Sequence, residues 1–201
     1  MILKPGPKAK TSAWFAVPLV LLCCIGPYGQ SRTAERTSNQ SEVTLPSDLM
    51  NRELTTLYNR QLKLADFSGK ITIINLFATW CAPCRENLRD LIKIKRKYGG
   101  LGVEVIAVVA AVNDHDLASV RRFARLQEIN FPIVWENEGF GESLAKIVDG
   151  PSDLALSVLP QTFIIGNDGR ILKRFEGFNP KITPALMREV LDQARRDKRT
   201  G

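Results

Sequence analysis

A continuously apolar run at Ile71–Phe77 narrows the folds open to this chain more than any other feature. The run is rich in β-branched residues and does not alternate with polar positions, which is typical of a strand covered on both faces. Apolar residues at helical spacing follow at 85–98, and a second buried strand is predicted at 103–111. A strand, a helix and a strand in this order predict an α/β fold with a partly parallel central sheet.

The remainder of the chain continues this alternation. The tight turn of a β-hairpin is predicted at Asn167, Asp168 and Gly169, because asparagine and glycine accept the backbone angles that such turns require. A helix that ends at residue 128 is predicted to be capped by Asp114 or Asp116, and its apolar side carries Val120, Phe123, Ala124 and Leu126. The other predicted elements are, in chain order, a short strand within 129–135, a helix at 140–148, strands at 162–165 and 171–175, and an amphipathic helix at 182–196.

Domain boundaries follow from composition and turn signals. A small β-hairpin is predicted at 52–64, with Asn59 at its turn, as an N-terminal extension of a domain at 51–197. Residues 31–50 are polar and lack apolar periodicity, so we predict a flexible tether there. Residues 198–201 are predicted to form a basic tail.

The N-terminus has the layout of a secretory signal. Three lysines precede a stretch at 11–31 that contains no charged residue. Its apolar part is shorter than the roughly 20 residues that cross a bilayer, so residues 1–30 are interpreted as a signal peptide or a short membrane anchor. Acylation of Cys23 or Cys24 is an alternative fate of this segment. Because the lysines stay on the cytoplasmic side, the rest of the chain is expected in the periplasm or elsewhere outside the cell membrane.

The distribution of charge excludes one class of function. The net charge is +7, but the three N-terminal lysines and the basic cluster at 195–199 carry six of these charges. The part between them is nearly neutral. A basic face for binding nucleic acid is therefore excluded.

Two cysteines, Cys81 and Cys84, stand between the first buried strand and the helix that follows it. A helix N-terminus presents free backbone N–H groups and the positive end of the helix dipole, and both stabilise a thiolate over a thiol. Cys81 is therefore predicted to be the exposed, attacking nucleophile, and Cys84 the more shielded resolving thiol. Pro83 supports this arrangement, because the first helical turn has no partner for the N–H group that proline lacks.

A structural zinc site and a pair of inert thiols are the competing interpretations. Zinc normally needs four Cys or His ligands. His115 is the only histidine and no cysteine follows Cys84, so the second half of a zinc site is missing from the sequence. The position between a strand and a helix favours redox chemistry over inert thiols.

A proline stands at the start of the strand predicted at 162–165. Pro160 removes one hydrogen-bond donor from that strand. An ordinary trans proline is the commoner interpretation of such a position, and a cis peptide bond is the alternative.

Three separate motifs carry a family resemblance. They are the strand end and cysteine pair at 75–85, Asp-Phe-Ser-Gly-Lys at 66–70, and Leu-Pro-Gln-Thr-Phe-Ile-Ile at 159–165. Together they resemble the thioredoxin-like TlpA/ResA family, in register over roughly residues 45–195, which is far more specific than a lone Cys-x-x-Cys. The resemblance implies the thioredoxin fold and an exported or membrane-tethered thiol–disulfide oxidoreductase of the protein-disulfide reductase type. Some members of the family serve cytochrome c maturation.

The resemblance also implies roles for single residues. Pro160 would be a cis-proline facing the cysteine pair, and its flanking backbone would hold a substrate peptide as an added strand. Leu159 and Ala82 would line that groove, and Trp80 and Asn75 would support the pair.

Partners are implied in the same way. The expected substrates are disulfides of exported proteins, and the expected electron donor is a membrane thiol transporter. An uncleaved segment at 1–30 would add contact with the membrane. No metal and no cofactor are expected beyond the redox-active disulfide of Cys81 and Cys84.

Two departures from the family pattern leave the proton acceptor for Cys84 unassigned. Asn87 stands where relatives commonly carry Glu, and Arg89 stands where they carry Pro. Glu86 cannot replace that acid, because at about 100° per residue it points some 200° around the helix from Cys84. A water held by Asn75 and Asn87 is one candidate.

The departures keep two other functions open. One is a slow or inactive thioredoxin-fold module that binds extended peptides. The other is a metallochaperone on the same fold, although such relatives usually space their cysteines by three residues and add a distant histidine, and His115 lies in the wrong region.

Overall fold

The computed structural model describes residues 43–110, 116–135, 139–149, 157–181 and 183–200. Its strands are β1 (Leu54–Thr55), β2 (Gln61–Leu62), β3 (Ile71–Phe77), β4 (Val103–Val109), β5 (Ile133–Val134), β6 (Gln161–Ile165) and β7 (Ile171–Glu176). Its α-helices are α1 (Ser47–Asn51), α2 (Ala82–Tyr98), α3 (Leu117–Leu126), α4 (Phe140–Asp149) and α5 (Thr183–Thr200), and short 3₁₀ helices occur at Leu64–Phe67 and Gly99–Leu101.

A five-stranded mixed sheet in the order β5-β4-β3-β6-β7 forms the centre of the fold. β3, β4 and β5 are parallel, whereas β6 runs antiparallel to both β3 and β7. β1 and β2 form a separate antiparallel hairpin that precedes the sheet. The predicted α/β architecture, with a partly parallel sheet and an N-terminal hairpin, is confirmed.

The central strand β3 is covered on both faces, as its apolar run predicts. All seven of its residues are buried. Ile73 and Phe77 belong to a core cluster that they share with side chains of α2, α3 and α5. Ile74 and Leu76 belong to a second cluster that they share with α1, α4 and the hairpin. Because successive side chains of a strand point to opposite faces, helices pack on both sides of the sheet.

The fold begins earlier than the sequence predicts. Leu45 and Leu49 are buried in the second core cluster, and α1 forms within the stretch predicted to be a flexible tether. The backbone N–H of Ile171 also donates to the Val43 carbonyl at 2.8 Å, so this segment pairs with β7. A few apolar residues in a short segment produce no readable periodicity, which is why composition alone missed the packing.

Helices α3 and α5 differ from their predicted limits. Asp116 caps α3 by accepting a hydrogen bond from the backbone N–H of Ser119 at 2.7 Å, but the helix ends at Leu126, two residues earlier than predicted. The sequence predicts Leu126 on the apolar side, yet it is 70% exposed, because at about 100° per residue it points some 200° around the helix from the buried Ala124. α5 continues through Thr200, so the predicted basic tail is helical up to that residue.

Some predictions fall on residues outside the described ranges. They concern the signal peptide or anchor at 1–30, Asp114 and His115. Among the helices that are described, none has both the length and the apolar character needed to cross a bilayer.

An ion-pair network joins β4 to the start of β3 and to α2. Glu104 Oε1 lies 3.0 Å from Lys70 Nζ, and Glu104 Oε2 lies 2.5 Å from Lys95 Nζ. Burial alone would raise the pKa of the Glu104 carboxyl, but hydrogen bonds and positive charges from Lys95 and Lys70 outweigh burial and hold the pKa below its ordinary value. The charged form of Glu104 therefore stabilises the fold.

We expect Glu104→Gln to lower the free energy of unfolding by about 1 kcal/mol at neutral pH, because it weakens two charge-assisted contacts. A carboxyl whose pKa is lowered by folding contributes stability above its unfolded pKa and loses it as the pH falls through the folded pKa. The difference between variant and parent should therefore shrink in acid. Urea unfolding at several pH values measures this difference.

Glu53→Gln is the matched control for this prediction. Glu53 pairs with Lys63 at 3.2 Å, but its side chain is 67% exposed, so its loss should change stability little at any pH. A deficit of Glu104→Gln that stays constant down to strongly acid pH would contradict the role given to the network.

Candidate active site

The cysteine pair lies at the carboxyl end of the central strand. β3 ends at Phe77, and a turn leads to Cys81, whose backbone N–H donates to the Ala78 carbonyl at 3.2 Å. Cys81 is the N-cap of α2 and Pro83 lies in the first turn, as the sequence predicts. Cys81 Sγ accepts a hydrogen bond from the backbone N–H of Cys84 at 3.2 Å. The start of the helix thus directs a free N–H group at this sulfur.

The two sulfurs form a disulfide and lie in different surroundings. The Cα atoms of Cys81 and Cys84 are 5.2 Å apart. Cys84 is completely buried, as predicted, but Cys81 is only 6% exposed, which corrects the prediction of an exposed nucleophile. Cys81 is covered by a tertiary contact, because the Leu159 carbonyl oxygen lies 3.8 Å from Cys81 Sγ. A segment distant in the sequence thus covers a side of the sulfur that the helix start leaves open.

The Leu159–Pro160 peptide bond is cis, as the family resemblance implies. β6 begins at the next residue and runs antiparallel to β3, with Gln161 opposite Leu76. This pairing brings Leu159 to the sheet edge where the cysteines lie. The Leu159 side chain is half-buried and packs against both core clusters.

Apolar side chains are exposed beside the sulfur pair. Trp80 is 58% exposed, and Ala82 and Pro83 are exposed in the first turn of α2. Val158 is 44% exposed and precedes Leu159 in the segment that covers Cys81. We call these four residues, together with Leu159, the apolar rim. Sequence reasoning missed Val158, for which the only signal is its position next to the proline motif.

A buried polar cluster joins β3, α2 and β6. Asn75 Nδ2 and Asn87 Nδ2 each donate to Thr162 Oγ1 at 2.9 Å, and Asn75 Nδ2 also lies 3.3 Å from the Gln161 carbonyl oxygen. Asn75, Asn87 and Thr162 are fully buried. We call these three residues the amide cluster. Sequence reasoning missed Thr162, because only the strand register places it opposite Asn75.

The charged side chains that follow Cys84 lie at the surface. Glu86 is exposed, in agreement with its predicted direction, and Arg89 is exposed as well. Within the described residues, no group of three or more His, Cys, Asp or Glu side chains is arranged to hold a metal ion.

Comparison with known proteins gives an independent result. Residues 46–174, more than half of the chain, match the AhpC/TSA family. The chain belongs to the AhpC/TSA family.

Individual relatives carry a more specific name. Thiol-disulfide oxidoreductase ResA of Bacillus thuringiensis subsp. konkukian is 26% identical over 172 residues, which cover 86% of this chain and 92% of the relative. The ResA of Geobacillus kaustophilus is 30% identical over 162 residues, which cover 81% and 84%. The crystal structure of a thiol:disulfide interchange protein of the thioredoxin family from Chlorobium tepidum is 22% identical, with a TM-score of 0.59, and the match covers 77% of this chain and 97% of that one.

Three predictions are confirmed by these findings. The resemblance to the thioredoxin-like TlpA/ResA family is a true relationship, and the fold is the thioredoxin fold. The assignment as a thiol–disulfide oxidoreductase is confirmed at the level of the family. The roles of individual residues stay predictions.

We expect the two cysteines to differ sharply in reactivity after reduction. In a Cys84→Ser variant, Cys81 should react with iodoacetamide at neutral pH about tenfold faster than free cysteine, because the start of α2 stabilises its thiolate. In a Cys81→Ser variant, the buried Cys84 should react slowly until the protein is unfolded. Mass spectrometry of timed samples measures both rates. Equal rates for Cys81 and free cysteine across the neutral range would contradict the nucleophile assignment.

Proposed function

We propose that this protein works outside the cytoplasm and reduces disulfides of exported proteins by dithiol exchange through Cys81 and Cys84. One observation carries the proposal. Cys81 caps α2, with its Sγ accepting the Cys84 N–H, and lies against the Leu159 carbonyl beside the apolar rim. A sulfur stabilised as a thiolate thus lies next to a surface on which a peptide can rest.

The first step is attack by Cys81 on a substrate disulfide. A bond forms between Cys81 Sγ and one substrate sulfur, the substrate S–S bond breaks, and the other substrate sulfur leaves as a thiolate that takes a proton from solvent. The backbone N–H of Cys84 favours the attacking thiolate, because it donates to Cys81 Sγ.

The second step releases the substrate. Cys84 attacks Cys81 Sγ, the mixed disulfide breaks, and the reduced substrate leaves as the Cys81–Cys84 disulfide forms. The pair has then given two electrons to the substrate. A membrane thiol transporter is the proposed donor that restores the dithiol, and the cycle needs no dissociable cofactor, because both electrons are stored in the two sulfurs.

Substrate recognition is proposed to use main-chain contacts together with the apolar rim. The Leu159 carbonyl faces the site of attack, and an extended peptide can add to such a segment as a strand. Trp80 and Val158 expose apolar area beside it. This combination favours unfolded or extended segments with apolar side chains over folded surfaces.

The proposed location and the proposed role in cytochrome c maturation are supported by the sequence. Residues 1–30 have the pattern of an export signal or anchor, which supports work on the outer side of the cell membrane, in the periplasm where the cell has one. The family resemblance adds apocytochrome c, whose haem-binding cysteines must be reduced, to the substrates that we propose to test.

We expect a Cys84→Ser variant to accumulate mixed disulfides through Cys81, because the resolving thiol is gone. Capture in cells, followed by non-reducing and reducing electrophoresis, should show adducts with exported proteins that disappear on reduction. The double variant Cys81→Ser/Cys84→Ser is the control and should lack these adducts. The midpoint reduction potential of the Cys81–Cys84 pair is a second measurement. A reductase is expected to have a potential more reducing than that of glutathione, and a strongly oxidising potential would indicate that the protein introduces disulfides instead.

Two other outcomes would replace the proposal. Binding of extended peptides that survives in the double variant, without adducts in Cys84→Ser, would indicate a peptide-binding module. Tight binding of a cuprous ion by the reduced protein, without turnover of disulfides, would indicate a metallochaperone.

A further inference from the structure

Two strong hydrogen-bond acceptors in the amide cluster have no donor in the part of the chain that the structure describes. Asn75 Oδ1 and Asn87 Oδ1 are both buried, and neither has a hydrogen-bond partner among the described residues. Asn75 cannot simply turn its amide around, because its Nδ2 faces both Thr162 Oγ1 and the Gln161 carbonyl. Buried acceptors of this kind are generally satisfied by an internal water when protein donors are lacking. A water carries two donor hydrogens, which matches the two amide oxygens.

The cluster lies on the side of α2 that carries the resolving thiol. Asn87 follows Cys84 by three residues, which makes the two side chains neighbours on one helix face, and both are fully buried. Asn75 lies on the same face of β3 as Ile73 and Phe77, which share a core cluster with Cys84. Asn87 therefore lies on the helix face that carries Cys84, and Asn75 lies on the sheet face that α2 covers.

Among the described residues, no buried carboxylate is available to Cys84 as a fixed base. The buried polar side chains of the described residues are threonine, asparagine and glutamine, with no carboxylate among them. Glu86, the acid nearest to Cys84 in the sequence, is exposed. A thiol buried among neutral groups resists ionisation, so its proton needs an explicit route during the second step.

We infer that one water, bound between Asn75 Oδ1 and Asn87 Oδ1 and positioned by Thr162, accepts the Cys84 proton when the mixed disulfide is resolved. The inference rests on the proposed function and assigns positioning roles to these three residues. In the step, the Cys84 S–H bond breaks and the proton passes to the water, which exchanges it with solvent. The freed electron pair forms the bond to Cys81 Sγ, the bond from Cys81 to the substrate breaks, and the departing sulfur takes a proton from solvent.

A water held by neutral amides does not change its resting protonation state in the pH range in which the protein works. The rate of the second step therefore follows the ionisation of Cys84, and it should rise about tenfold per pH unit through the neutral range. The first step depends on Cys81 and should level off at lower pH. The amide cluster thus makes resolution the pH-limited half of the reaction.

The test is a single turnover of the reduced, full-length protein with one equivalent of 5,5′-dithiobis(2-nitrobenzoate), in a Cys23→Ser/Cys24→Ser background so that Cys81 and Cys84 are the thiols that react. Attack by Cys81 releases the first coloured thiolate, and resolution by Cys84 releases the second, so both steps are read in one trace. Asn87→Leu and Thr162→Val should slow the second release at least tenfold near neutral pH and change the first less than about twofold. Thr162→Ser keeps the hydroxyl and should retain the parent rate.

Asn87→Glu tests the chemistry rather than the packing. It places a carboxylate one helical turn from Cys84, so the second release should become faster below neutral pH and its pH midpoint should move down. Thr72→Val is the matched control, because Thr72, like Thr162, is a buried threonine, but it lies in β3 and pairs with Ile165 at the end of that strand away from the cysteines. It should leave both releases unchanged.

The outcomes separate the inference from the proposed function. A second release that Asn87→Leu and Thr162→Val leave within about twofold of the parent would overturn the inference, as would a parent second release that is already independent of pH in the acid range. Absence of the first release in the parent protein would instead overturn the proposed function. Circular dichroism and urea unfolding of each variant report whether the variant is folded.

Discussion

The hydrogen-bonded pairing of β3 with β4 on one side and β6 on the other is the constraint on which the rest of the structure depends. β3 runs parallel to β4 and antiparallel to β6, and both of its faces are buried. α2 therefore begins shortly after the carboxyl end of β3 along the chain. The start of β6 lies beside the same end, because β6 runs in the opposite direction. The cysteine pair and the cis Leu159–Pro160 bond meet there, although 78 residues separate Cys81 from Leu159.

The same pairing gives the two sulfurs different environments. Cys81 caps the helix and lies against a main-chain carbonyl at the edge of the sheet. Cys84 is fully buried, and Asn87, which belongs to a buried cluster of neutral amides and a hydroxyl, follows it by three residues on α2. After reduction we expect a thiolate to be favoured at the first position and disfavoured at the second, because the helix dipole acts on one and burial acts on the other. In the proposed function, this asymmetry gives thiol–disulfide exchange an order, in which Cys81 attacks and Cys84 resolves.

Much of the fold could be predicted from the sequence because its signals are local. The uninterrupted apolar run of β3, the helical spacing in α2 and the turn at Asn167 each lie within a short stretch, and the elements formed where these patterns indicated. One error came from the direction of a side chain on its helix, and the other came from contacts with distant parts of the chain. Leu126 looked apolar enough to pack but faces solvent at the end of α3, and Leu45 looked like part of a tether but packs against the core.

The sequence by itself determined the order of strands and helices, the pair of thiols at a helix start, and the neutral residues where an acid is common in relatives. It did so because residue type and spacing act over a few residues. Only the tertiary structure decided that Cys81 is nearly covered, that Thr162 joins Asn75 to Asn87, and that two amide oxygens have no donor among the residues that the structure describes. Those properties come from strand register, which brings together residues as far apart as 87 positions and which no local pattern encodes.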